Sequence, residues 1–250
     1  MAGLGGAQAP AGNTLVPIDC DACASDVRGH STCFSGEVPR AVFRICPACG
    51  EPTRNAVVDP ATRSLLCDLC GATTGIEVLP PLLFITGASG AGKTTLYEAL
   101  VGKVEEALLI DADLLWGVNA AHDDPDSGYR QFRGLVLHLA ERLAKNGKPV
   151  VVEGSCMPEQ YENFGERWCF SKTAYLAVVC SDEELDRRLR SRPAGRDSKR
   201  TVDTMIAWNR HLRESVATAG PRIDLLDTTG RSIGDCAQEL HEWIRRESSG

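Results

Sequence analysis

Gly87-Ala88-Ser89-Gly90-Ala91-Gly92-Lys93-Thr94 is the stretch on which the reading of this sequence turns. It fits G-x-x-x-x-G-K-[ST] at every fixed position. The short apolar run Leu82 to Thr86 precedes it and predicts a buried strand. Thr95 to Lys103, with Leu96, Leu100 and Val101, predicts a helix after it. Glycines let successive backbone N–H groups turn inward around phosphate oxygens, and the following helix points its positive end at the same anion. The stretch from Gly87 through Thr95 is therefore expected to cradle the phosphates of a nucleotide. Lys93 would neutralise the β- and γ-phosphates, and the Thr94 hydroxyl would ligate Mg²⁺. The alternative, an ordinary glycine-rich turn, does not account for the strand and helix on either side.

Downstream, short apolar runs alternate with amphipathic stretches, the pattern of an α/β protein with a parallel sheet. Ala107 to Ile110 predicts a second strand, ending in Asp111-Ala112-Asp113. Ligands of open α/β sheets sit at the carboxyl ends of strands. Asp111 and Asp113 are thus candidates to hold Mg²⁺ through water or to take a proton from an acceptor hydroxyl. Helix capping by Asp113 is the structural alternative. His122 to Ser127 reads as a polar loop, either substrate-contacting or merely solvated. A helix is expected from about Gly128 to Asn146, ended by Gly147, with Tyr129, Arg130 and Arg133 placed to reach a substrate and His138 structural. Pro149 to Val152 predicts a third strand, rich in β-branched residues. Glu153 at its end stands where an Mg²⁺-holding acid belongs, beside Thr94.

Ala174 to Val179 predicts the fourth strand. Ser181 to Glu184 reads as a capping box that opens a helix carrying Arg187, Arg188, Arg190 and Arg192. Pro193-Ala194-Gly195 breaks it before Arg196, Lys199 and Arg200. Arginines on a closing lid would supply mobile positive charge over a transferring phosphoryl group. A helix near Val202 to Ala217, a fifth strand at Arg222 to Leu226 and a last helix at Ile233 to Arg246 complete the pattern. Asp227-Thr228-Thr229-Gly230 imitates a GTPase switch, but it follows the last strand, and no N-K-x-D guanine-reading sequence accompanies it.

The N-terminal third is of another kind. Of eleven cysteines, Cys46/Cys49 and Cys67/Cys70 form two C-x₂-C-G repeats, the pattern of a zinc ribbon. Ala56-Val57-Val58 and Ser64-Leu65-Leu66 between them look like a hairpin. Cys20, Cys23, His30 and Cys33 offer a second, Cys₃His set, so one or two structural Zn²⁺ ions are expected. Sequential pairing is preferred over an interleaved one, and both stay open. Cys156, Cys169, Cys180 and Cys236 are scattered singly and read as small buried hydrophobes. The expected organisation is a disordered tail at 1–14, a zinc-binding β domain at 15–79 and an α/β domain at 80–250, with Leu79-Pro80-Pro81 as a stiff linker.

Composition is that of a globular protein, 43% hydrophobic and 24% charged, with apolar runs too short to cross a membrane. The N-terminus lacks the basic and long apolar regions of a signal peptide. C-x-x-C pairs without one favour metal over disulfides, and the cytoplasm is the expected compartment. Net charge is −7, and residues 1–80 contain no lysine, which weighs against nucleic acid as a partner of that region.

Residues 82–246 resemble the P-loop kinases that include nucleoside and nucleotide kinases, shikimate kinase and gluconate kinase. The resemblance rests on Gly87 to Thr94, Asp111-Ala112-Asp113, Val151-Val152-Glu153-Gly154, Leu185-x-x-Arg188-Leu189-x-x-Arg192 and Asp227 to Gly230. It implies a five-stranded parallel sheet of order 2-3-1-4-5 flanked by helices, ATP and Mg²⁺ as cofactors, and a lid built around Arg188, Arg192 and Arg196. It also implies that Asp227 to Gly230 borders the adenine. The expected activity is transfer of the ATP γ-phosphoryl group to a small-molecule acceptor, with nucleosides and nucleotides first among candidates. The alternatives are a polynucleotide 5′-hydroxyl kinase and a zinc-ribbon adaptor with a nucleotide-gated switch, which would take a protein partner through the zinc domain.

Overall fold

The computed structural model describes residues 40–41, 44–53, 56–117, 125–162, 164–192, 199–214 and 221–249. Five parallel strands form the centre: β7 (Leu82–Gly87), β8 (Leu108–Asp111), β9 (Val150–Glu153), β10 (Thr173–Val179) and β11 (Ile223–Asp227). The sheet runs β11-β10-β7-β9-β8 from edge to edge. Counted along the chain, that order is 2-3-1-4-5 read from the β8 edge. The central strand, β7, thus carries the glycine loop at its carboxyl end, between the ends of β9 and β10.

The apolar runs become strands because both faces of the sheet are covered. All six residues of β7 and all four of β9 are buried. Successive side chains divide between the two layers with the period of a strand. Leu82 and Phe84 join Val150, Val152, Tyr175 and Ala177 in one core, against Val136, Leu137, Ala140 and Ala144 of a long helix. Leu83 and Ile85 join Val151, Leu176 and Val178 in the other, against Leu96, Leu100, Leu240 and Ile244.

The helices are α1 (Lys93–Leu100), α2 (Asp113–Trp116), α3 (Pro125–Ala144), α4 (Glu159–Glu162), α5 (Asp182–Arg190), α6 (Lys199–Glu214) and α7 (Ile233–Ser248), with a 3-10 turn at Gly165–Cys169. Helix α1 begins at Lys93, two residues earlier than its apolar stripe predicts, because the loop itself supplies the first turn. Gly147, at φ +80°, follows the end of α3. The capping box is half formed. Ser181 Oγ accepts the Glu184 N–H at 3.2 Å, but the Glu184 carboxylate turns away to Arg187 and Arg188, and the Ser181 N–H donates to Thr229 Oγ1. Two guanidinium groups are a stronger draw for a carboxylate than one amide.

Ahead of this layer, β1 (Arg40–Ala41), β4 (Ala56–Asp59), β5 (Ser64–Leu66) and β6 (Thr73–Gly75) form a four-stranded antiparallel sheet of order β1-β4-β5-β6. β2 (Arg44–Ile45) pairs with β3 (Pro52–Thr53). The Leu79-Pro80-Pro81 stretch is not a free linker. The Leu79 N–H donates to the Cys169 carbonyl and the Ser171 N–H to the Leu79 carbonyl, both at 2.8 Å. Leu79 faces Phe170 in the same register in which Leu82 faces Thr173, so β7–β10 pairing continues past the two prolines. Ala56, Val58, Leu65 and Ile76 consequently share one core with Phe170 and Phe84.

Phe84 is 1% exposed and packs on Tyr175 and Tyr161, with ring centroids 5.1 and 4.6 Å away. Phe84→Ala should therefore cost about 3–5 kcal/mol of unfolding free energy, measured by urea denaturation.

Candidate active site

The loop between β7 and α1 is shaped by positions that exclude a side chain. Gly87 has φ +150°, and a Cβ there would overlap the Val178 carbonyl oxygen of β10. Gly90 has φ +94°, and its Cβ would press on Leu185 and Leu189 of α5, each at 3.0 Å. Gly92, at φ +111°, stands immediately before α1. All three have conformations that L side chains rarely adopt, and at Gly87 and Gly90 the space would not hold one. Ala88 packs with Leu185, Leu189 and Val202 in a small core of its own beneath the loop.

Lys93 lies inside this turn, 8% exposed, and its Nζ donates to the Gly87 carbonyl at 2.8 Å and to that of Ala88 at 3.4 Å. Burial pulls its pKa below the ordinary lysine value, while the carboxylates of Glu153 and Asp113 oppose that shift. A buried ammonium held by two carbonyls suits exchange onto an incoming anion. Ser89 Oγ accepts from Arg192 Nη1 at 3.0 Å.

Glu153, 2% exposed, ends β9 beside this loop, paired in register with Asp111 on β8. Thr94 Oγ1 donates to Glu153 Oε1 at 3.4 Å. Burial raises the Glu153 pKa to about 7; Lys93 lowers it, and the neighbouring Asp111 and Asp113 raise it further. Asp111 Oδ1 accepts the Asp113 N–H at 2.9 Å, so Asp111 opens helix α2 and Asp113 does not act as its cap. The Asp113 side chain is left exposed. A hydroxyl from the first turn of α1 and a carboxylate from the end of β9, with two further carboxylates close by, form an all-oxygen donor set suited to Mg²⁺. The glycine cradle beside it fits phosphate. Thr86 fixes the segment after Glu153: its hydroxyl donates to the Cys156 carbonyl at 2.7 Å and accepts the Cys156 N–H at 2.9 Å.

The arginines divide. Arg188 is not a lid residue. Its Nη1 donates to the Ala91 carbonyl and Thr228 Oγ1, its Nη2 to the Thr228 carbonyl and its Nε to Glu184. It is held as a fixed brace because both acceptor loops converge on the middle of α5. Arg192, past the end of that helix, does reach the loop through Ser89, and Arg196 lies outside the described residues. Thr228 belongs to the stretch expected beside adenine, and its side chain serves as a tie that the sequence did not reveal. It is 5% exposed, and its hydroxyl lies 3.0 Å from the Ala91 carbonyl and 3.1 Å from that of Val179 while accepting from Arg188. It ties the loop after β11 to the glycine loop. Thr95 is exposed on α1.

On the β8 side, Trp116 stacks near Tyr129 and Phe132, with centroids 5.0 and 5.2 Å away. The Arg133 guanidinium lies 5.5 Å from the Tyr129 ring, and that of Arg130 5.5 Å from the Phe164 ring. His122, Asp123 and Asp124 lie outside the described residues, as does the tail at 1–14.

The four cysteines Cys46, Cys49, Cys67 and Cys70 come together, their Sγ atoms all within 4.8 Å of one another. Cys20, Cys23, His30 and Cys33 lie outside the described residues. Cys156, Cys169, Cys180 and Cys236 are buried singly in the α/β layers, and desolvation pushes the Cys156 thiol up to about 12.

Among known proteins, the family described as an AAA domain matches residues 82–213. A sugar kinase from Janibacter sp. HTCC2649, solved without ligand, superposes with a TM-score of 0.51 at 14% identity, over 66% of this chain and 95% of its own. A gluconokinase from Sinorhizobium meliloti 1021 gives 0.47 at 18%, over 69% and 96%. A shikimate kinase from Bacteroides thetaiotaomicron gives 0.46 at 22%, over 66% and 98%. No curated protein matches the sequence.

Replacing Thr228 by valine removes the hydroxyl and strands the buried carbonyls that it joins. Thr228→Val should lose about 1–3 kcal/mol in chemical denaturation, with Thr228→Ser recovering most of it.

Proposed function

Because the chain belongs to the AAA-domain family through residues 82–213, we propose that it transfers the γ-phosphoryl group of ATP to a small-molecule acceptor in an Mg²⁺-dependent reaction. One observation carries this reading: Lys93 is buried under a glycine-rich loop while Thr94 and Glu153 meet at its mouth. Loop amides and Lys93 hold the donor phosphates. The Lys93 ammonium moves from the Gly87 carbonyl to the β- and γ-phosphate oxygens, and Arg192 adds charge from the far side of Ser89. Thr94 and Glu153 would hold Mg²⁺, which when bound neutralises charge on the same oxygens. Asp113 is the acceptor-side base, since its side chain is exposed whereas Asp111 is engaged with the α2 backbone. Transfer in line from donor to acceptor then needs positioning more than covalent chemistry.

A nucleoside or nucleotide acceptor suits the β8 side best. Trp116 and Tyr129 offer flat apolar faces for a base, and Arg130 and Arg133 on α3 offer charge for a phosphate. Asp227 Oδ1 accepts from the Thr229 N–H and hydroxyl, which fixes the turn of the stretch that would border the donor base. No helix among the described residues is long and apolar enough to cross a membrane.

ATP turnover with Mg²⁺ should be stimulated by one member of a panel of nucleosides, nucleoside monophosphates and sugar acids. Lys93→Ala should lower that stimulated rate by about 10²–10³-fold. A panel that is flat for small molecules and rises only with a 5′-hydroxyl oligonucleotide would overturn the small-molecule acceptor.

Glu153 adds a pH dependence. Its folded pKa of about 7 stands above the ordinary 4.5, so folding favours the proton. The contribution of that proton to stability is complete below pH 4.5 and is lost as pH rises to about 7. The carboxylate is the form that binds Mg²⁺. At limiting Mg²⁺, kcat/KM for ATP should therefore rise through about pH 7, and saturating Mg²⁺ should move the inflection lower. A profile with no inflection between pH 5 and 8 would remove Glu153 from the metal site.

A further inference from the structure

We propose that Cys46, Cys49, Cys67 and Cys70 bind one Zn²⁺, and that this ion clamps the antiparallel sheet onto the segment leading from Glu153 to β10, as a built-in scaffold of the α/β layer.

The two cysteine pairs stand on two copies of one backbone turn. In the first, the Cys46 N–H donates to the Glu51 carbonyl and the Gly50 N–H to that of Cys46. In the second, the Cys67 N–H donates to Ala72 and the Gly71 N–H to Cys67. Gly50 and Gly71 have φ +75° and +72°, a left-handed conformation that a side chain would strain. Each turn is closed by paired antiparallel strands, Ile45 opposite Pro52 and Leu66 opposite Thr73.

Across the two turns, Cys46 Sγ lies 3.7 Å from Cys70 Sγ and Cys49 Sγ 4.0 Å from Cys67 Sγ. A disulfide would bring two sulfurs to about 2.05 Å. Four thiolates about 2.3 Å from a central Zn²⁺ would stand about 3.8 Å apart, the edge of a tetrahedron. Both observed separations match that edge. A closed set of four sulfurs leaves no position for a substrate, so the ion is structural.

The sheet that these turns close is packed on the α/β layer. Ala56 and Leu65, which line a cavity of about 160 Å³ with Cys46 and Cys67, belong to the same core as Cys169, Phe170 and Phe84. At the β4–β5 turn, Arg63 takes φ +47°, accepts the Ile76 N–H on its carbonyl and donates from Nη2 to the Ser171 carbonyl at 3.3 Å. Leu79 brackets Phe170 with a main-chain bond on each side. So anchored, Cys169, Phe170 and Ser171 lie between Glu153 and β10 on the stretch that also carries Cys156, Tyr161 and Phe164. β4 and β5 are only four and three residues long. Sheets that short do not stand alone in water, so a metal closing their ends governs whether they stay packed.

The test uses the full chain and needs no assay of phosphoryl transfer. Metal analysis of wild type and of Cys67→Ser/Cys70→Ser should show one zinc equivalent lost in the variant, whatever else the chain binds. Hydrogen exchange on wild type before and after a zinc chelator should show faster exchange in peptides covering 56–79 and 164–172, with 233–248 unchanged. Cys70→His, which keeps four ligands, should restore both the equivalent and the protection. An unchanged zinc count, or iron in its place, would overturn the metal assignment. Zinc loss that speeds exchange at 44–75 but leaves 164–172 untouched would overturn the clamp. If the serine variant unfolds outright, the chelator titration of wild type decides between these outcomes.

Discussion

No side chain can stand between Gly87 and Val178, and the site depends on that fact. Parallel pairing brings the end of β7 so close to β10 that the carbonyl of Val178 occupies the place of a Cβ. The chain therefore leaves the sheet with φ +150° and turns over Lys93. Gly90 repeats the constraint one step on, against Leu185 and Leu189. The loop is thus pressed on one side by the backbone of β10 and on the other by apolar side chains of α5. It holds its concave shape without a ligand, which is what preorganised binding of an anion requires.

Around this cradle the charges are arranged in tension. Lys93 is buried among carbonyls, and Glu153 is buried beside two other acids. Each would be costly alone, and each lowers the cost of the other. A nucleotide with its metal would relieve both, since it brings negative charge to the lysine and positive charge to the carboxylate. Arg188 and Thr228 take no part in that tension. They join the glycine loop, the end of β10 and the loop after β11 into one unit, so the cradle moves with the sheet.

The antiparallel sheet extends the same logic to the other end of β7. Leu79 carries strand pairing across two prolines because they sit where no N–H is needed, and Leu79 itself supplies the bonds. A segment that reads as punctuation between two units is the place where their cores join. Pro-Pro signals only a loss of donors, and whether that ends a strand depends on the partner across from it.

Much of the site was legible in sequence, because its chemistry is local. Glycine spacing, the lysine and threonine that follow, and acids at the ends of apolar runs are all short-range patterns, and they located Lys93, Thr94, Asp111 and Glu153. Alternating burial followed from β-branched runs, and C-x₂-C-G located the turns that gather Cys46, Cys49, Cys67 and Cys70. Tertiary structure alone decided what depends on distant partners. Arg188 reads as a lid arginine until Thr228, forty residues on, takes its guanidinium. Glu184 leaves its capping role because two arginines compete for it. The motif Asp227 to Gly230 marked the segment, but not that Thr228 is its buried member, since a buried threonine and an exposed one are written alike. Hydrogen bonds go to whichever partner packing brings within 3 Å, and that is a property of the fold rather than of the neighbours in the chain.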